Sequence, residues 1–368
     1  MRQAKVHRIA TRSPDDVGGL LHAIDSGAID PAGIVAILGK TEGNGCVNDF
    51  TRAFAVSALK SGLSKYMDGA RVESIAYVMS GGTEGALSPH LLVLERGEGA
   101  GQAGPALAIG SALTPALPPA GLGRMAQVRM VAEGVAAAMD DAGITDTADV
   151  HFVQIKCPLL TAQRIAAAEA AGGMVATRDT LKSMGLSRGA SALGVGLALG
   201  ELEAAQLHDG MIGRDTTLWS SRASTSAGVE LANHEIVVLG MSDRWSGPLA
   251  VDHAVMNDAI DVDPVRMALT RLGFRAGTPV ADPDGPRLVA LLAKAEPGTT
   301  GALRGARHTM LDDSDISATR HARAFVGGVL AGLVGTSEIF VSGGAEHQGP
   351  DGGGPVAVIA ARTEGARE

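Results

Sequence analysis

An α/β protein assembled from three copies of one unit is the fold this sequence predicts, and three recurring features predict it. Three short apolar runs each end on a lysine: residues 34–40 on Lys40, 151–156 on Lys156, and 288–294 on Lys294. Three β-rich stretches each end on a serine followed by small residues: Ser80-Gly81-Gly82, Ser226-Ala227-Gly228 and Ser342-Gly343-Gly344. Between each lysine and its serine lies an Ala/Gly/Leu-rich helical segment read as opening on an arginine, at Arg52, Arg188 and Arg320. The Thr or Ser before each arginine suits a helix N-cap, whose side-chain oxygen accepts an otherwise unpaired backbone N–H.

The flanking elements complete each unit. A short strand follows each serine, at 91–94, 235–239 and 356–360, and an amphipathic helix precedes each lysine strand, near 15–26, 124–142 and 258–272. The order is therefore strand, helix, lysine strand, helix, serine strand, strand. Gly/Pro punctuation at 97–101 and 246–248 divides the chain into units 1–103, 104–247 and 248–368.

Composition narrows the function. The 368 residues are 45% hydrophobic and only 3% aromatic, with 50 glycines, so the core must use Ala, Val, Leu and Ile around tight turns. A net charge of −9 without a basic run argues against nucleic acid or an anionic membrane as partner and favours a small molecule. Cys46 and Cys157 make neither a disulfide framework nor a metal motif. The opening residues lead into no apolar segment, and no run reaches the roughly 18–20 residues of a membrane-crossing helix, so a cytoplasmic location is expected.

Lysine, serine and arginine at the ends of rigid elements can perform chemistry together. Small residues after a serine leave backbone N–H groups open to grip a carbonyl oxygen or an oxyanion. An arginine adds a fixed positive fork, and a lysine whose pKa is lowered can serve as base for a serine hydroxyl. Three such sets about one centre suit a planar ring bearing three carbonyls.

The segments 38–45, 78–85 and 224–228, and above all Ser342-Gly343-Gly344-Ala345-Glu346-His347-Gln348-Gly349-Pro350, resemble the cyanuric acid hydrolase and barbiturase family of cyclic amide hydrolases across essentially the whole chain. The resemblance implies three α/β units around a central barrel-like β core, one active site on the pseudo-threefold axis, and a homotetramer. It implies opening of one ring amide of cyanuric acid to carboxybiuret, which loses carbon dioxide to give biuret. By position it makes Ser226 the nucleophile and Lys156 its base. Lys40, Arg52, Ser80, Gly81, Arg188, Ala227, Lys294, Arg320, Ser342 and Gly343 would hold the ring, with Arg323 a rival for Arg320. It implies no organic cofactor, but a structural Mg²⁺ or Ca²⁺ held by Glu296 and oxygens of Ala345, Gln348, Gly349, Pro350 and Gly353, an all-oxygen set unsuited to zinc.

An asymmetry in the residues points the same way. Lys40 and Lys294 have a glutamate two residues on, Glu42 and Glu296, whereas Cys157-Pro158 follow Lys156, so Lys156 is expected to be the lysine most easily neutral. Other readings are weaker. Residues 194–200 and 121–126 imitate a dinucleotide-binding fingerprint without its spacing or preceding strand. Barbituric acid as substrate, a non-catalytic binder of a cyclic ureide, and a purely structural repeat protein remain the alternatives.

Overall fold

The computed structural model describes residues 1–99, 104–275 and 284–362. The strands are β1 (Arg2–Ala10), β2 (Ile34–Thr41), β3 (Ala76–Gly81), β4 (His90–Glu98), β5 (Ala106–Leu113), β6 (Val150–Pro158), β7 (Ala223–Gly228), β8 (Glu235–Ser242), β9 (Trp245–Ser246), β10 (Leu249–Met256), β11 (Leu288–Ala295), β12 (Ala302–Leu303), β13 (Ala306–Arg307), β14 (Phe340–Gly343) and β15 (Gly354–Ala361). The helices are α1 (Gly18–Asp25), α2 (Phe50–Leu63), α3 (Gly69–Glu73), α4 (Met125–Ala142), α5 (Ala162–Ala170), α6 (Thr180–Ala198), α7 (Asp263–Arg271) and α8 (Ala318–Val334).

The three units share one topology. Their sheets run β1-β4-β2-β3, β5-β8-β6-β7 and β10-β15-β11-β14, with the short β9 added beside β1. In each, the first strand is antiparallel to the last, the last is antiparallel to the lysine strand, and the lysine strand is parallel to the serine strand. A parallel pair requires a crossover, and α2, α6 and α8 supply it. The sheets remain three separate ladders among the described residues and do not close into one hydrogen-bonded barrel. The first unit boundary adjoins residues 100–103, which lie outside the described residues.

Strand alternation decides what faces the centre. Ala36, Leu38, Ala76, Val78, Leu292 and Phe340 join one apolar cluster that draws on all three units, while Ile37, Met79, Leu291 and Val341 pack outward against their own helices. Lys40, Ser80, Lys294 and Ser342 have the parity of the inward set, so the pleat aims them at the shared centre. In the middle unit the inward positions before Lys156 and Ser226 are polar, and Ser224 Oγ donates to Gln154 Oε1 at 2.7 Å.

Two buried histidines give a stability prediction. His234 bridges Thr114 Oγ1 (3.1 Å) and Gln127 Nε2 (3.0 Å), and His90 lies opposite Lys40 in the ladder. Burial pushes both imidazoles down to about 4. As pH falls through 6.5 toward 4, the unfolded chain takes up protons that the folded chain resists, so folding stability must fall over that window. Urea midpoints measured across pH 4–7 should fall on the acid side, with a shallower fall in His234→Gln.

Candidate active site

The parallel ladders place each lysine directly beside its own serine: Lys40 with Ser80, Lys156 with Ser226, Lys294 with Ser342. All six side chains are buried. Each ammonium also reaches into a neighbouring unit, to the carbonyl of the residue preceding that unit's serine. Lys40 donates to Val341 O at 2.6 Å, Lys156 to Met79 O at 2.5 Å, and Lys294 to Thr225 O at 2.8 Å. The contacts form a closed cycle, first unit to third, second to first, third to second.

A second cycle went unread in the sequence. Four residues after each serine stands a glutamate: Glu84, Glu230 and Glu346. Each meets the arginine of another unit. Glu230 Oε1 lies 3.6 Å from Arg52 Nε, Glu346 takes a two-pronged pair from Arg188 at 2.8 and 2.6 Å, and Glu84 takes both Arg320, at 2.8 Å, and Arg323. Glycine makes room for these guanidinium groups. Gly82 and Gly344 adopt φ of +94° and +82°, and a β-carbon on either would collide with Arg323 or Arg188 respectively. The fixed serine-to-glutamate interval was the available signal.

Several expectations need correction. Arg52 and Arg320 sit in the first turns of α2 and α8, but Arg188 lies in the middle of α6, which begins at Thr180. The caps are Asp49 for α2 and Asp179 for α6 rather than Thr51 and Ser187, because each aspartate carboxylate accepts a first-turn N–H. Ser317, not Thr319, occupies the cap position of α8. In the third unit Arg323 is the deeply buried guanidinium, with 4% of its side chain exposed against 36% for Arg320 at the rim.

The electrostatic argument from sequence also fails at one point: Lys156 does not lack a carboxylate. Glu230 Oε1 lies 2.9 Å from its Nζ, brought there by the turn after β7, while Glu42 faces outward and is exposed. The contact is a charge pairing more than a directed bond, since the Glu230 oxygens and Arg52 Nε form no aligned hydrogen bond. Burial lowers the pKa of all three lysines. Lys40 and Lys294 fall well below the usual lysine range, aided by Arg323 and Arg188, whereas Glu230 opposes the fall at Lys156. Burial pushes Glu230 up, but Lys156 and Arg52 outweigh it and hold the carboxyl low.

The three serines are not equivalent. Ser80 Oγ accepts from Lys40 at 3.4 Å and Ser342 Oγ accepts from Lys294 at 2.8 Å. Among the described residues Ser226 Oγ bonds no lysine and instead meets Ser342 Oγ at 3.2 Å. A cavity of about 440 Å³ opens between units, lined in part by Gly45, Arg188, Arg320, Arg323, Gly343 and Glu346; it reaches the residue after Ser342 but is lined by none of the three serines.

A second cavity, of about 170 Å³, is lined in part by Glu296 and by Ala345, Glu346, Gly349 and Pro350 of the loop that follows Ser342. Glu296 is held in it by Ala345 N at 3.0 Å, and burial together with Glu346 pushes its carboxyl up to about 7. The loop turns sharply, with φ of +59° at His347, +101° at Gly349 and +83° at Gly352. The Gln348 side chain is committed elsewhere: its oxygen accepts from Thr225 N and its nitrogen donates to Gly344 O. Gly353 packs against Met256 O and does not line this cavity.

Threefold lysine–serine pairs, interlocked by glutamate–arginine contacts, make one buried polar centre to which all three units contribute. The comparisons identify the class of protein. A family model described as amidohydrolase ring-opening protein matches residues 5–361, and the chain belongs to that family of amidohydrolases. It is 66% identical to the cyanuric acid amidohydrolase of Azorhizobium caulinodans, over 98% of this chain and 99% of that protein. It is 62% identical to the cyanuric acid amidohydrolase of Bradyrhizobium sp. strain ORS 375, over 99% of each. The fold matches the crystal structure of the A. caulinodans cyanuric acid hydrolase with a TM-score of 0.93, covering 99% of this chain and 100% of that one. A second solved structure, described as a cyanuric acid hydrolase that arose by structural concatenation, matches with a TM-score of 0.93 at 47% identity, over 98% of this chain and 100% of that one.

Proposed function

We propose that this protein opens the ring of cyanuric acid hydrolytically, with Ser226 as nucleophile and Lys156 as base. The observation that carries the proposal is broken symmetry: in the outer units a lysine hydrogen-bonds its serine, and in the middle unit it does not. A serine oxygen that accepts from an amine is a poorer nucleophile but can turn its own O–H toward a ring carbonyl. Ser80 and Ser342 are suited to hold substrate, with Arg52, Arg188, Arg320 and Arg323 and the N–H groups of Gly81 and Gly343 completing the grip. Ser226 Oγ accepts from no lysine among the described residues.

Lys156 stands beside Ser226 across a parallel ladder spaced by about 4.8 Å, close enough for a rotamer change to bring Nζ to Oγ. The neutral amine takes the Ser226 proton as the Oγ–carbon bond forms. Backbone N–H groups around Ala227 face the developing oxyanion. The ring C–N bond then breaks, and the proton passes from Lys156 to the departing nitrogen. Water cleaves the resulting acyl-enzyme, releasing carboxybiuret, which loses carbon dioxide to leave biuret.

Incubation with cyanuric and barbituric acid separately, with products identified by mass, tests the substrate. Biuret from the first with the second intact is expected; ureidomalonate alone would transfer the reading to barbiturase. Binding of either ring without turnover would make the protein a binder only.

The cavity lined by the loop that follows Ser342 fits a hard cation. Two half-buried carboxyl groups, Glu296 and Glu346, share it, and a divalent ion would offset their repulsion. Mg²⁺ or Ca²⁺ would be held by the Glu296 carboxylate with backbone oxygens of Ala345, Gly349 and Pro350, which line the cavity as Gln348 and Gly353 do not, and would order the loop that follows Ser342. Chelator-treated protein should melt several degrees lower and recover on adding Mg²⁺ or Ca²⁺, whereas Glu296→Gln should not respond. Equal melting temperatures with and without chelator in the wild type would remove the ion from the account. A homotetramer, on the family resemblance, and a cytoplasmic setting, on the sequence pattern, are also proposed; no helix among the described residues is long and apolar enough to cross a membrane.

A further inference from the structure

At the opposite end of β6 from Lys156, three side chains converge across the seam between the second and third units. His151 Nδ1 lies 3.0 Å from His253 Nδ1 and 3.5 Å from Asp252 Oδ1, and all three donor atoms fall within 4.8 Å of one another. We propose that His151, Asp252 and His253 form a transition-metal site, with Zn²⁺ the ion that best suits them.

The donor set is two imidazole nitrogens and one carboxylate oxygen, the borderline-soft combination that zinc accepts. Tetrahedral ligands about 2.0–2.1 Å from an ion stand about 3.3 Å apart, and the two measured separations of 3.0 and 3.5 Å bracket that spacing. Little movement is needed for an ion to enter. A cavity of about 540 Å³, lined by His151 and Asp252, leaves room for water as fourth ligand. The Nδ1–Nδ1 contact requires one imidazole to carry its proton on Nδ1; on ligation that proton moves to Nε2, and both rings remain neutral.

The surroundings orient the carboxylate. Arg271 Nε holds Asp252 Oδ2 at 2.5 Å, and His253 N donates to Oδ1 at 2.7 Å, which fixes the group that ligates. Arg222 and Glu201 face the pair from the second unit and form an ion pair with each other at 3.1 Å, so their charges largely cancel. Arg271 is the opposing positive charge, which sets the expected affinity in the micromolar range rather than below it.

The fold itself does not call for imidazole here. His151 is the second residue of its lysine strand, and the second residues of the other two are Val35 and Val289. The site is separate from the reaction centre. Five residues of extended strand, about 16 Å, divide His151 from Lys156. An ion there would clip β6 of one unit to β10 of the next.

Zinc chloride titrated calorimetrically into chelator-treated full-length protein tests the proposal, with thermal melting as a second readout. One Zn²⁺ per chain is expected in the wild type, raising its melting temperature. Affinity should fall at least tenfold in His151→Val, which copies the sister units, and in His253→Ala, and should be unchanged in Glu296→Gln. Zinc binding that is equal in wild type and His151→Val, or absent up to millimolar zinc, would overturn the assignment.

Discussion

Ser226→Ala is expected to lower kcat with cyanuric acid by about three orders of magnitude or more while leaving Kd within about tenfold. The alanine removes the only atom proposed to form a covalent bond with the ring, and little that holds it. Ser80→Ala and Ser342→Ala remove groups that accept from Lys40 and Lys294, and in the proposed complex donate to ring oxygens. Their cost should appear chiefly in Kd and KM. Calorimetric binding and steady-state rates on the three variants separate the roles. Near-normal turnover in Ser226→Ala would end the assignment, and a larger kcat loss in Ser342→Ala would move the nucleophile to the pair at 2.8 Å.

Glu230→Gln should produce the largest loss of stability. Glu230 lies against both Lys156 and Arg52, two cations from different units that are almost wholly buried. Breaking a buried pair by removing one partner typically costs about 3–5 kcal/mol, because the remaining charge loses its compensation. Lys156 can relieve part of this by releasing its proton, whereas arginine cannot. The variant therefore carries a lysine that is more readily neutral when folded and ordinary when unfolded. The unfolded state then binds more protons, so stability of the variant should rise with pH from 7 toward 10 more steeply than in the wild type. The same release should move the acid limb of the kcat/KM profile to lower pH. Urea unfolding at several pH values and a pH–rate profile check both parts; wild-type stability and an unshifted limb would show that Glu230 neither compensates nor tunes Lys156.

What the sequence displayed and what it concealed divide along a physical line. Lys40, Lys156 and Lys294 and their serines are legible because they terminate apolar runs, a local pattern that strand pairing preserves. The shared fold of the units follows from the repeated order of elements. Contacts between units leave no local trace. Lys156 was read as lacking a carboxylate because Glu230 is distant in sequence and reaches it only through the turn after β7. Arg323 was only a rival to Arg320, since the choice between them rests on which face of α8 meets Glu84 from the first unit. Arg188 was read as opening a helix because the earlier start of α6, set by the Asp179 cap, is marked by one residue. The glutamates four residues after each serine were visible, and their regular interval acquires meaning only once the interlocking arginines are seen.

The most direct test of the central claim is rapid quenching of the protein with cyanuric acid, followed by intact-mass measurement and peptide mapping. Serine attack on a ring carbonyl opens the ring without losing an atom, so the account predicts a mass increase equal to one cyanuric acid molecule, carried by the peptide containing Ser226. The same increase carried by the peptide of Ser80 or Ser342 would contradict it.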